Sequence, residues 1–427
     1  MINIRDPIHG TLSLSTREIR LVDSQPFQRL RNVKQLGFAD LAFPGATHTR
    51  YSHSLGAMHV ATRLFDVLFP ERQESRNHAN RPQLAAEDRA RFRQAVRLAV
   101  LFHDVGHAPL SHTTEMIMPN VSALQIPRAT GADRQATHED YTLKLILDSE
   151  VSRLVTQHFG DDGITPQDVA DLIEPETRAR ARWLSGGLDY GPVLHQLVSS
   201  ELDADRMDYL QRDSFYSGVN YGKFDADWLI QNVVPTQSDS RVHLGVAARA
   251  IFSFEDFLLS RYHMFLTVYY HHTPVCFAEM LARYFLDAPG EYALPADVEQ
   301  YVQHDDTVLW MALRSSKSRW AERIRSRRGF KVLKDDPRYQ GNGGGELARK
   351  LQEHGIDAME HTSKGVLSKY FLKADVAPIY VVEENGQTTP VEQYTPLYKR
   401  YSEAVRVHRL YVDPARADEA QRILAAG

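Results

Sequence analysis

Histidines are concentrated in one part of this chain. Eight of its 19 histidines lie between positions 48 and 138. Imidazole is the commonest metal ligand and titrates near neutral pH, so metal binding or proton transfer is expected in this region. Chance clustering on solvated helix faces is the competing interpretation, and we assign His59 and His78 to it.

Residues 101–107 read Leu-Phe-His-Asp-Val-Gly-His and end a segment that is apolar all round. Such a segment predicts a buried helix. Buried polar groups are costly unless they are compensated, and a divalent cation on His103 and Asp104 would compensate them. A satisfied hydrogen bond in the core is the alternative. The dipeptide alone leaves both interpretations open, because short motifs often occur by chance.

Other segments offer further ligands. His53 begins a helical pattern, and residues 201–209 are dense in carboxylates. Asp205, Tyr209 and Asp213 are spaced i, i+4, i+8, so a helix places them along one face. A solvated acidic face is the alternative, but apolar neighbours give this helix a buried side. The pattern therefore favours a cation site.

The elements that must position these residues are mainly helical. A turn at 6–10 separates two short strands, and Ser15 with Glu18 fits a capping box that opens a helix over 16–23. Residues 71–91 are charged and polar and predict a surface loop leading into a helix. Further helices are predicted over 26–36, 54–69, 86–105, 138–149, 166–173, 194–213, from 253 to about 274, and over 276–286.

The pattern changes beyond residue 290. Helices around 296–325 are followed by a Gly-rich break at Gly341, Gly343, Gly344 and Gly345. Strands over 379–382 and 388–394 flank Asn385-Gly386 and predict a hairpin, and a second strand pair is predicted across 233–246. We therefore predict a mainly α fold, with a helical catalytic core over 1–290. A smaller α+β C-terminal region over 291–427 is expected to pack on that core and to serve oligomerisation or regulation.

Composition excludes several classes of protein. The chain has 427 residues and a formal charge of 50 − 55 = −5, so it is not built as a general polyanion binder; nucleic acid is a possible partner but is not indicated. Its single cysteine, Cys276, excludes an internal disulfide and a Cys-based metal site. Neither a run of about 18 apolar residues nor a signal peptide is evident, so we expect a cytoplasmic protein without a membrane partner.

Seven motifs in a fixed order make the sequence recognisable. They are Asp6-Pro-Ile-His-Gly, Phe27-Gln-Arg-Leu-Arg, Lys34-Gln-Leu-Gly, Phe43-Pro-Gly-Ala, His53-Ser-Leu-Gly, Leu101-Phe-His-Asp-Val-Gly-His and Asp203-Ala-Asp-Arg-Met-Asp-Tyr. Together they resemble the HD-domain deoxynucleoside triphosphate (dNTP) triphosphohydrolases, which include members with a sterile-alpha-motif domain before the HD domain. The motifs cover about residues 1–275, and the C-terminal third resembles the family only loosely.

The resemblance implies a role for each matching residue. The metal ligands fall on His53, His103, Asp104 and Asp205. The catalytic group falls on His107, His112, Glu115 and His138. Substrate contacts fall on Gln35, Leu36, Arg50, Arg206, Tyr209, Asp213 and Arg261, with His271 a candidate for the base. Residues that bind an allosteric nucleotide between subunits fall on Asp23, Gln28 and Arg31, and more loosely on Arg327 and Lys331.

Two positions depart from the family pattern. Glu115 stands where the family usually has Asp, and Arg206 stands where relatives often have Lys. His112 is the candidate general acid, oriented by Glu115, with His107 and His138 contacting phosphate or assisting proton transfer. A plain helix N-terminus for His138, a salt bridge for Arg261, a structural role for His271 and a simple basic patch at Arg327 and Lys331 are the alternatives.

The implied activity is metal-dependent hydrolysis of dNTPs to a deoxynucleoside and inorganic triphosphate, by attack of water at the α-phosphorus. The ligand set suits Mg²⁺, Mn²⁺ or Fe²⁺ without choosing among them. An activating GTP or dNTP and a homo-oligomer, dimer or tetramer, are implied by resemblance only. The alternatives are an HD-superfamily phosphodiesterase, nuclease or nucleotidase and, ranked lower, a nucleotide sensor that does not hydrolyse its ligand.

Overall fold

The computed structural model describes residues 1–71, 82–175, 182–337, 339, 341, 345–365, 377–397 and 405–426. Part of the predicted surface segment 71–91, including His78, lies outside these ranges, as do Gly343 and Gly344 of the Gly-rich break. Within them, no helix is long and apolar enough to cross a membrane.

The chain begins with an antiparallel hairpin of β1 (Ile2–Asp6) and β2 (Gly10–Leu14). Asp6 Oδ1 accepts the backbone N–H groups of Ile8 and His9, each at 2.9 Å, and so closes the turn. Helix α1 (Thr16–Val22) follows, opened by the capping box of Ser15 and Glu18. The predicted strands, turn and capped helix are confirmed.

The α-helices that follow, up to residue 290, pack mainly around one apolar core, and the last of them, His272–Asp287, packs in a second core with helices beyond residue 305. They are α2 (Gln25–Arg29), α3 (Arg50–Leu68), α4 (Ala86–Phe102), α5 (His138–Leu147), α6 (Glu150–Phe159), α7 (Pro166–Ile173), α8 (Gly191–Val198), α9 (Ala204–Ser217), α10 (Ala226–Gln231), α11 (Ile251–Met264) and α12 (His272–Asp287). Helix α3 packs against both α4 and α9. The end of α4, from Leu98 to Phe102, is buried on every side, as its uniformly apolar sequence predicts.

The predicted helix boundaries differ most from the structure at three places, and the helices predicted from 54 and from 276 each begin four residues earlier. The helix expected over 26–36 ends at Arg29 and continues only as a 3₁₀ turn, Leu30–Asn32. The helix expected over 194–213 is two helices, because the Asp203 side chain accepts the N–H of Arg206 and starts α9 afresh. Ser253 does not cap α11, which begins at Ile251 and passes into a π-helical turn, Phe265–Tyr269.

A mixed sheet borders the helical core and joins it to the C-terminal region. Its strands are β3 (Leu184–Ser185), β4 (Leu188–Asp189), β5 (Val233–Ser238), β6 (Arg241–Ala247), β9 (Tyr380–Val382) and β10 (Thr388–Pro390). The antiparallel pair β5–β6 and the hairpin β9–β10 confirm the two predicted strand pairs, except that the strand expected over 388–394 ends at Pro390 and Val391–Tyr394 is helical. Because β9 pairs in parallel with β6, the hairpin of the C-terminal region extends the sheet of the core.

The remaining elements form the smaller α+β region. They are α13 (Val298–Tyr301), α14 (Asp306–Ser315), α15 (Arg319–Arg325), β7 (Lys331–Asp336), α16 (Glu346–Glu353), β8 (Ala358–Gly365), α17 (Val391–Tyr394), β11 (Val405–Val412) and α18 (Ala417–Ala425). Strands β7, β11 and β8 form an antiparallel sheet in that order. The predicted fold class, a mainly α core with a smaller α+β part, is confirmed.

Candidate functional site

Four side chains from three helices converge at one point. His53 lies in the first turn of α3, His103 and Asp104 directly follow α4, and Asp205 lies in the first turn of α9. The Nε2 atom of His53 is 3.0 Å from Asp205 Oδ1 and 3.4 Å from both His103 Nε2 and Asp104 Oδ2. The structure therefore brings together all four residues that the sequence nominates as metal ligands.

Hydrogen bonds fix the orientation of both imidazoles. His103 donates its Nδ1–H to the carbonyl oxygen of Val100 at 2.7 Å. His53 donates its Nδ1–H to Asp208 Oδ2 at 2.8 Å. Both rings therefore present the Nε2 lone pair to the centre, the arrangement in which histidine binds a metal.

Asp208 is the hub of a buried layer behind His53. Besides the His53 ring it contacts His9 Nε2 at 2.6 Å and accepts two hydrogen bonds from Arg212, each at 2.8 Å. Burial alone would raise the pKa of Asp208, but the Arg212 guanidinium and the two histidines hold it well below its usual range. A Cβ at Gly56 would lie 2.1 Å from Asp208 Oδ1, so α3 needs glycine where it passes this carboxylate.

Asp104 is shared between the centre and a neighbouring cation. Its Oδ2 accepts a hydrogen bond from Arg50 Nη1 at 2.5 Å, and its Oδ1 lies 3.2 Å from His107 Nε2. Burial opposes ionisation, but Arg50 and the two adjacent histidines keep the pKa of Asp104 well below the ordinary value. Arg50 thus lies at the edge of the cluster, and Asp104 joins the cluster to His107.

The donor set fits a divalent cation. Two imidazole nitrogens and two carboxylates match ions of the Mn²⁺ or Fe²⁺ type, and the carboxylates also suit Mg²⁺. His53, His103 and Asp205 have ligand atoms within 4.8 Å of one another. The Asp205 side chain is 31% exposed, whereas His53 is fully buried, so the centre opens on the Asp205 side.

A second polar cluster lies beside the first. His107 and His138 stack with ring centres 3.9 Å apart, and His112 meets both rings edge-on. Glu115 Oε1 lies 2.9 Å from His112 Nδ1 and 2.5 Å from His138 Nδ1. The His112 side chain is 66% exposed and is the member of the group most open to solvent. The sequence-predicted catalytic residues are therefore neighbours in space.

Glycine at position 106 makes this arrangement possible. A Cβ there would lie 2.2 Å from the carbonyl oxygen of His138 and 2.3 Å from the amide nitrogen of Thr142. Gly106 also donates its N–H to Thr142 Oγ1 at 3.0 Å. The chain leaving α4 can therefore lie against the first turn of α5, which carries His138 into the cluster.

The face of α9 predicted to bind a sugar carries a hydrogen-bonded group. Asp213 Oδ1 lies 2.8 Å from His48 Nε2, and Asp213 Oδ2 accepts the hydroxyl of Tyr269 at 2.7 Å. Tyr209 meets Tyr269 edge-on, with ring centres 6.1 Å apart. Burial raises the pKa of the Tyr209 hydroxyl to about 12, so this hydroxyl stays protonated.

Tyr269 and His48 are residues that the sequence interpretation missed. Tyr269 lies in the π-helical turn two residues before His271, and such turns are frequent at functional sites. Gln35 borders the same area, and its backbone N–H donates a hydrogen bond to the His48 carbonyl oxygen at 3.1 Å. Among the described residues the buried Gln35 Oε1 has no hydrogen-bond partner, and Leu36 beside it is half-buried.

The other predicted cations are already engaged. Arg206 is hydrogen-bonded to Asp203 and to the Ser200 carbonyl, both at the start of its own helix. Arg261 Nη1 contacts Glu201 Oε2 at 3.0 Å. Arg50, the third arginine expected at the phosphates, contacts the candidate metal ligand Asp104 directly.

The remaining nominated residues lie farther out. His271 Nδ1 caps α12 by accepting the Thr273 N–H at 3.3 Å. Arg31 contacts Gln28 at 2.7 Å, and its guanidinium lies 3.6 Å from the centre of the Tyr51 ring. Asp23 ends α1 nearby in sequence, while Arg327 and Lys331 are exposed around the start of β7.

His59 does not lie on a solvated face. It is half-buried, with its ring 5.4 Å from that of His9. Burial lowers the pKa of His59 to about 4, so this histidine is neutral at physiological pH. The assignment of His59 to solvent is therefore wrong: the ring packs behind the Asp208 layer.

Comparison with known proteins adds the family context. The HD domain model matches residues 50–213, and the HD associated region model matches residues 224–335. The uncharacterized protein YwfO of Bacillus subtilis is 28% identical over 444 residues, which cover 95% of this chain and 91% of that protein. The crystal structure of a hypothetical protein from Aquifex aeolicus has a TM-score of 0.74, 27% identity and 99% coverage of both chains.

One group of relatives carries a named activity. The "deoxynucleoside triphosphate triphosphohydrolase SAMHD1 homolog" of Dictyostelium discoideum is 25% identical over 346 residues, or 79% of this chain. The match spans 59% of that relative's length, so the two proteins correspond over only part of the longer chain. All four candidate ligands fall inside the HD domain match.

Proposed function

This chain belongs to the HD-domain dNTPase-like family, and from that premise we propose that it is a metal-dependent hydrolase that splits dNTPs into a deoxynucleoside and inorganic triphosphate. The observation that supports this most strongly is the convergence of His53, His103, Asp104 and Asp205 beside Arg50. A divalent cation held there would polarise a phosphoryl oxygen.

The remaining chemistry falls to residues of the chain. Arg50 places a fixed positive charge beside the centre, where a triphosphate needs charge compensation. Water attacks the α-phosphorus, the bond from phosphorus to the sugar 5′-oxygen breaks, and the electron pair stays on that oxygen. His112 donates the proton that completes the deoxynucleoside hydroxyl, and Glu115 orients the ring for this transfer.

Selection of deoxyribose is assigned to the face of Tyr209. The hydrogen bonds of Asp213 to His48 and Tyr269 fix three polar side chains next to Tyr209, and these could hydrogen-bond to a sugar hydroxyl. We assign to Tyr209 and the half-buried Leu36 the exclusion of a 2′-hydroxyl by shape. Steric exclusion is required, because an apolar pocket alone rejects an added hydroxyl only modestly.

The test is the identity of the products. The protein is incubated with each dNTP and with ribonucleotides, with Mg²⁺ or Mn²⁺, in water enriched in ¹⁸O. We expect deoxynucleoside and triphosphate, with the label in the triphosphate. Pyrophosphate with deoxynucleoside monophosphate, or label in the nucleoside, contradicts the assigned bond.

A paired substitution tests the centre itself. Asp205→Ala is expected to lower turnover by at least about 100-fold, since loss of an outer-shell partner alone costs 10–100-fold. Asp297→Ala is the matched control, because it removes an exposed helix-capping aspartate in the smaller region. Turnover that persists in Asp205→Ala would contradict the metal centre. Unimpaired nucleotide binding by a wild-type protein that never hydrolyses would favour the sensor.

Substrate range and activation are measured together. Cyclic dinucleotides, single-stranded DNA and nucleoside monophosphates, assayed beside the dNTPs, report the phosphodiesterase, nuclease and nucleotidase alternatives. Each reaction is run with and without GTP or dATP, because the resemblance of the sequence motifs implies a nucleotide-responsive homo-oligomer.

A further inference from the structure

Two segments of the candidate site come from distant parts of the chain. The 34–36 loop carries Gln35 and Leu36, and the 110–111 turn separates His107 from His112. The segments touch directly, because Ser111 Oγ donates a hydrogen bond to the Lys34 carbonyl at 2.6 Å. A Cβ at Gly37 would lie 3.1 Å from the Leu110 carbonyl oxygen, which shows how closely they pack.

The 110–111 turn has an unfavourable backbone. Leu110 has φ of 54° and Ser111 has φ of 58°, both in the left-handed region that residues with a Cβ rarely adopt. Two such residues in succession persist only where the surroundings hold them. The turn sets the relation between the His107 and His112 rings, which meet edge-on with centres 4.8 Å apart.

A single buried carboxylate holds both segments. Asp306, the first residue of α14, accepts the Leu110 N–H on Oδ1 at 2.7 Å and the Lys34 N–H on Oδ2 at 3.1 Å. The residue is 7% exposed and belongs to the HD associated region rather than to the HD domain. Both oxygens are thus committed to backbone donors of the candidate site.

We propose that Asp306 is a positioning residue that fixes the 34–36 loop and the 110–111 turn relative to each other and thereby aligns the substrate and proton-transfer groups. The proposal rests on the proposed function only in calling these segments catalytic. Hydrogen bonds connect these segments to the candidate metal centre. Ser111 Oγ accepts the Nε–H of Arg50 at 2.8 Å, and Arg50 in turn donates to Asp104.

Burial of the carboxylate supports a dedicated role. Desolvation, helped by the charge of Asp305, raises the pKa of Asp306 to about 6. The two backbone donors and the Lys34 ammonium act in the opposite direction, because they favour the charged form. The neighbouring Asp305 already caps α14 by accepting the Val308 N–H at 3.1 Å. Helix capping therefore does not require Asp306.

The test compares Asp306→Asn with Asp305→Ala in the full-length protein. An asparagine can accept only one of the two N–H groups and turns its own NH₂ toward the other, whereas Asp305→Ala weakens the helix cap alone. We expect Asp306→Asn to lower kcat about 10–100-fold with Mn²⁺ binding unchanged. Asp305→Ala is expected to stay within about threefold of wild type, since it loses only a cap.

Hydrogen exchange supplies a readout that does not need catalysis. In Asp306→Asn the amides of Lys34 and Leu110 should exchange faster than in wild type, and in Asp305→Ala they should not. Ser111→Ala removes the hydrogen bond to the Lys34 carbonyl and so breaks the same connection. The fall in kcat of the double variant with Asp306→Asn should therefore be smaller than the product of the two single effects.

Three results would overturn the proposal. They are unchanged exchange of the Lys34 and Leu110 amides in Asp306→Asn, a fall in kcat in Asp305→Ala as large as that in Asp306→Asn, and a fall in kcat in Asp306→Asn that is explained by weaker Mn²⁺ binding. If wild type hydrolyses no dNTP, the proposed function fails. The exchange measurement then still decides the role of Asp306.

Discussion

The stacked imidazoles of His107 and His138 differ in their surroundings. Burial, Arg50 and the facing His138 ring hold the pKa of His107 well below its ordinary value. Burial also disfavours charge on His138, but its hydrogen bond to Glu115 and the negative charges of Glu139, Glu115 and Asp104 together outweigh that effect and raise the pKa. Two imidazolium rings 3.9 Å apart would repel each other, so Glu115 assigns the single charge to His138.

Glu115→Gln is expected to move that charge. Without the carboxylate the pKa of His138 falls, so the limb of the kcat/KM profile that reports loss of the charge on His138, which assists the proton transfer from His112, shifts to lower pH. Turnover should drop about 100-fold at its optimum, a typical effect of disabling acid–base catalysis. The measurement is a pH profile at saturating Mn²⁺.

Glu115→Asp is the matched control for charge. It keeps the carboxylate but shortens the side chain, so the limb should stay near its wild-type position while turnover falls less. A limb that does not move in Glu115→Gln would contradict the assignment of the proton to this cluster.

At the scale of elements, the centre depends on how closely α3, α4 and α9 pack. Gly56 faces α9, and a Cβ there would lie 2.1 Å from Asp208 Oδ1 and 2.2 Å from the nearest Arg212 nitrogen. The ends of the three helices carry His53, His103 and Asp205, so any separation of α3 from α9 also separates the ligands.

Gly56→Ala is therefore expected to destabilise the fold by about 3 kcal/mol, the upper part of the range for overpacking, although alanine favours helix. Gly160→Ala is the control, because that glycine is helical and open space surrounds its Cβ position. It should be neutral or stabilising by about 0.5 kcal/mol. Urea unfolding measures both, and equal stability of the two variants would contradict the packing argument.

A buried ion pair between Glu18 and Arg97 connects α1 to α4. Glu18 accepts two hydrogen bonds from Arg97, at 2.6 and 2.9 Å, and it also closes the capping box with Ser15. Burial opposes the charge, but Arg97 and the other donors lower the pKa of Glu18 from 4.5 to about 2.

Glu18→Gln should lower the free energy of unfolding at pH 7 by about 3 kcal/mol, because it leaves Arg97 without its counter-charge. A lowered pKa means that the charged pair stabilises the fold fully above pH 4.5 and that this contribution is lost as the pH falls toward 2. The difference between wild type and variant should therefore shrink below pH 4.5. A difference independent of pH between 7 and 3 would contradict the ion-pair origin.

For the whole molecule, local patterns predicted the elements better than their junctions. The apolar run of α4, the capping box of α1 and the Asn385-Gly386 hairpin are local signals, and the structure has all three. The pattern does not predict the break between α8 and α9, because Asp203 lies in a run of acidic residues that hides its role as a helix cap. A cap is visible in a sequence only when the helix start is already suspected.

Long-range partners are the part of the site that a single sequence does not reveal. The four nominated ligands meet, but His9, Asp306 and Tyr269 contact the site across 199, 196 and 56 residues of chain. No spacing rule links such positions. Their roles follow only once the fold has set the distances, and the domain division at residue 290 stays a prediction.

The last prediction concerns assembly. Arg31 stacks on Tyr51 and contacts Gln28 on an exposed surface, and Tyr51 directly follows Arg50 at the start of α3. A nucleotide bound at this surface in a homo-oligomer would therefore act one residue from a cation of the candidate centre. We expect GTP or dATP to increase the mass measured by light scattering and to raise turnover.

Arg31→Ala should raise the nucleotide concentration needed for both effects by about tenfold to 100-fold, the cost of one charge-assisted hydrogen bond. Arg17→Ala is the control, because Arg17 also lies over an aromatic ring, Phe159, at 4.8 Å, but on α1 and away from Gln28. Its response should match wild type. If the mass does not change with nucleotide in wild type, or if both arginine variants respond alike, the surface around Arg31 is not a regulatory site, whatever the outcome at the metal centre.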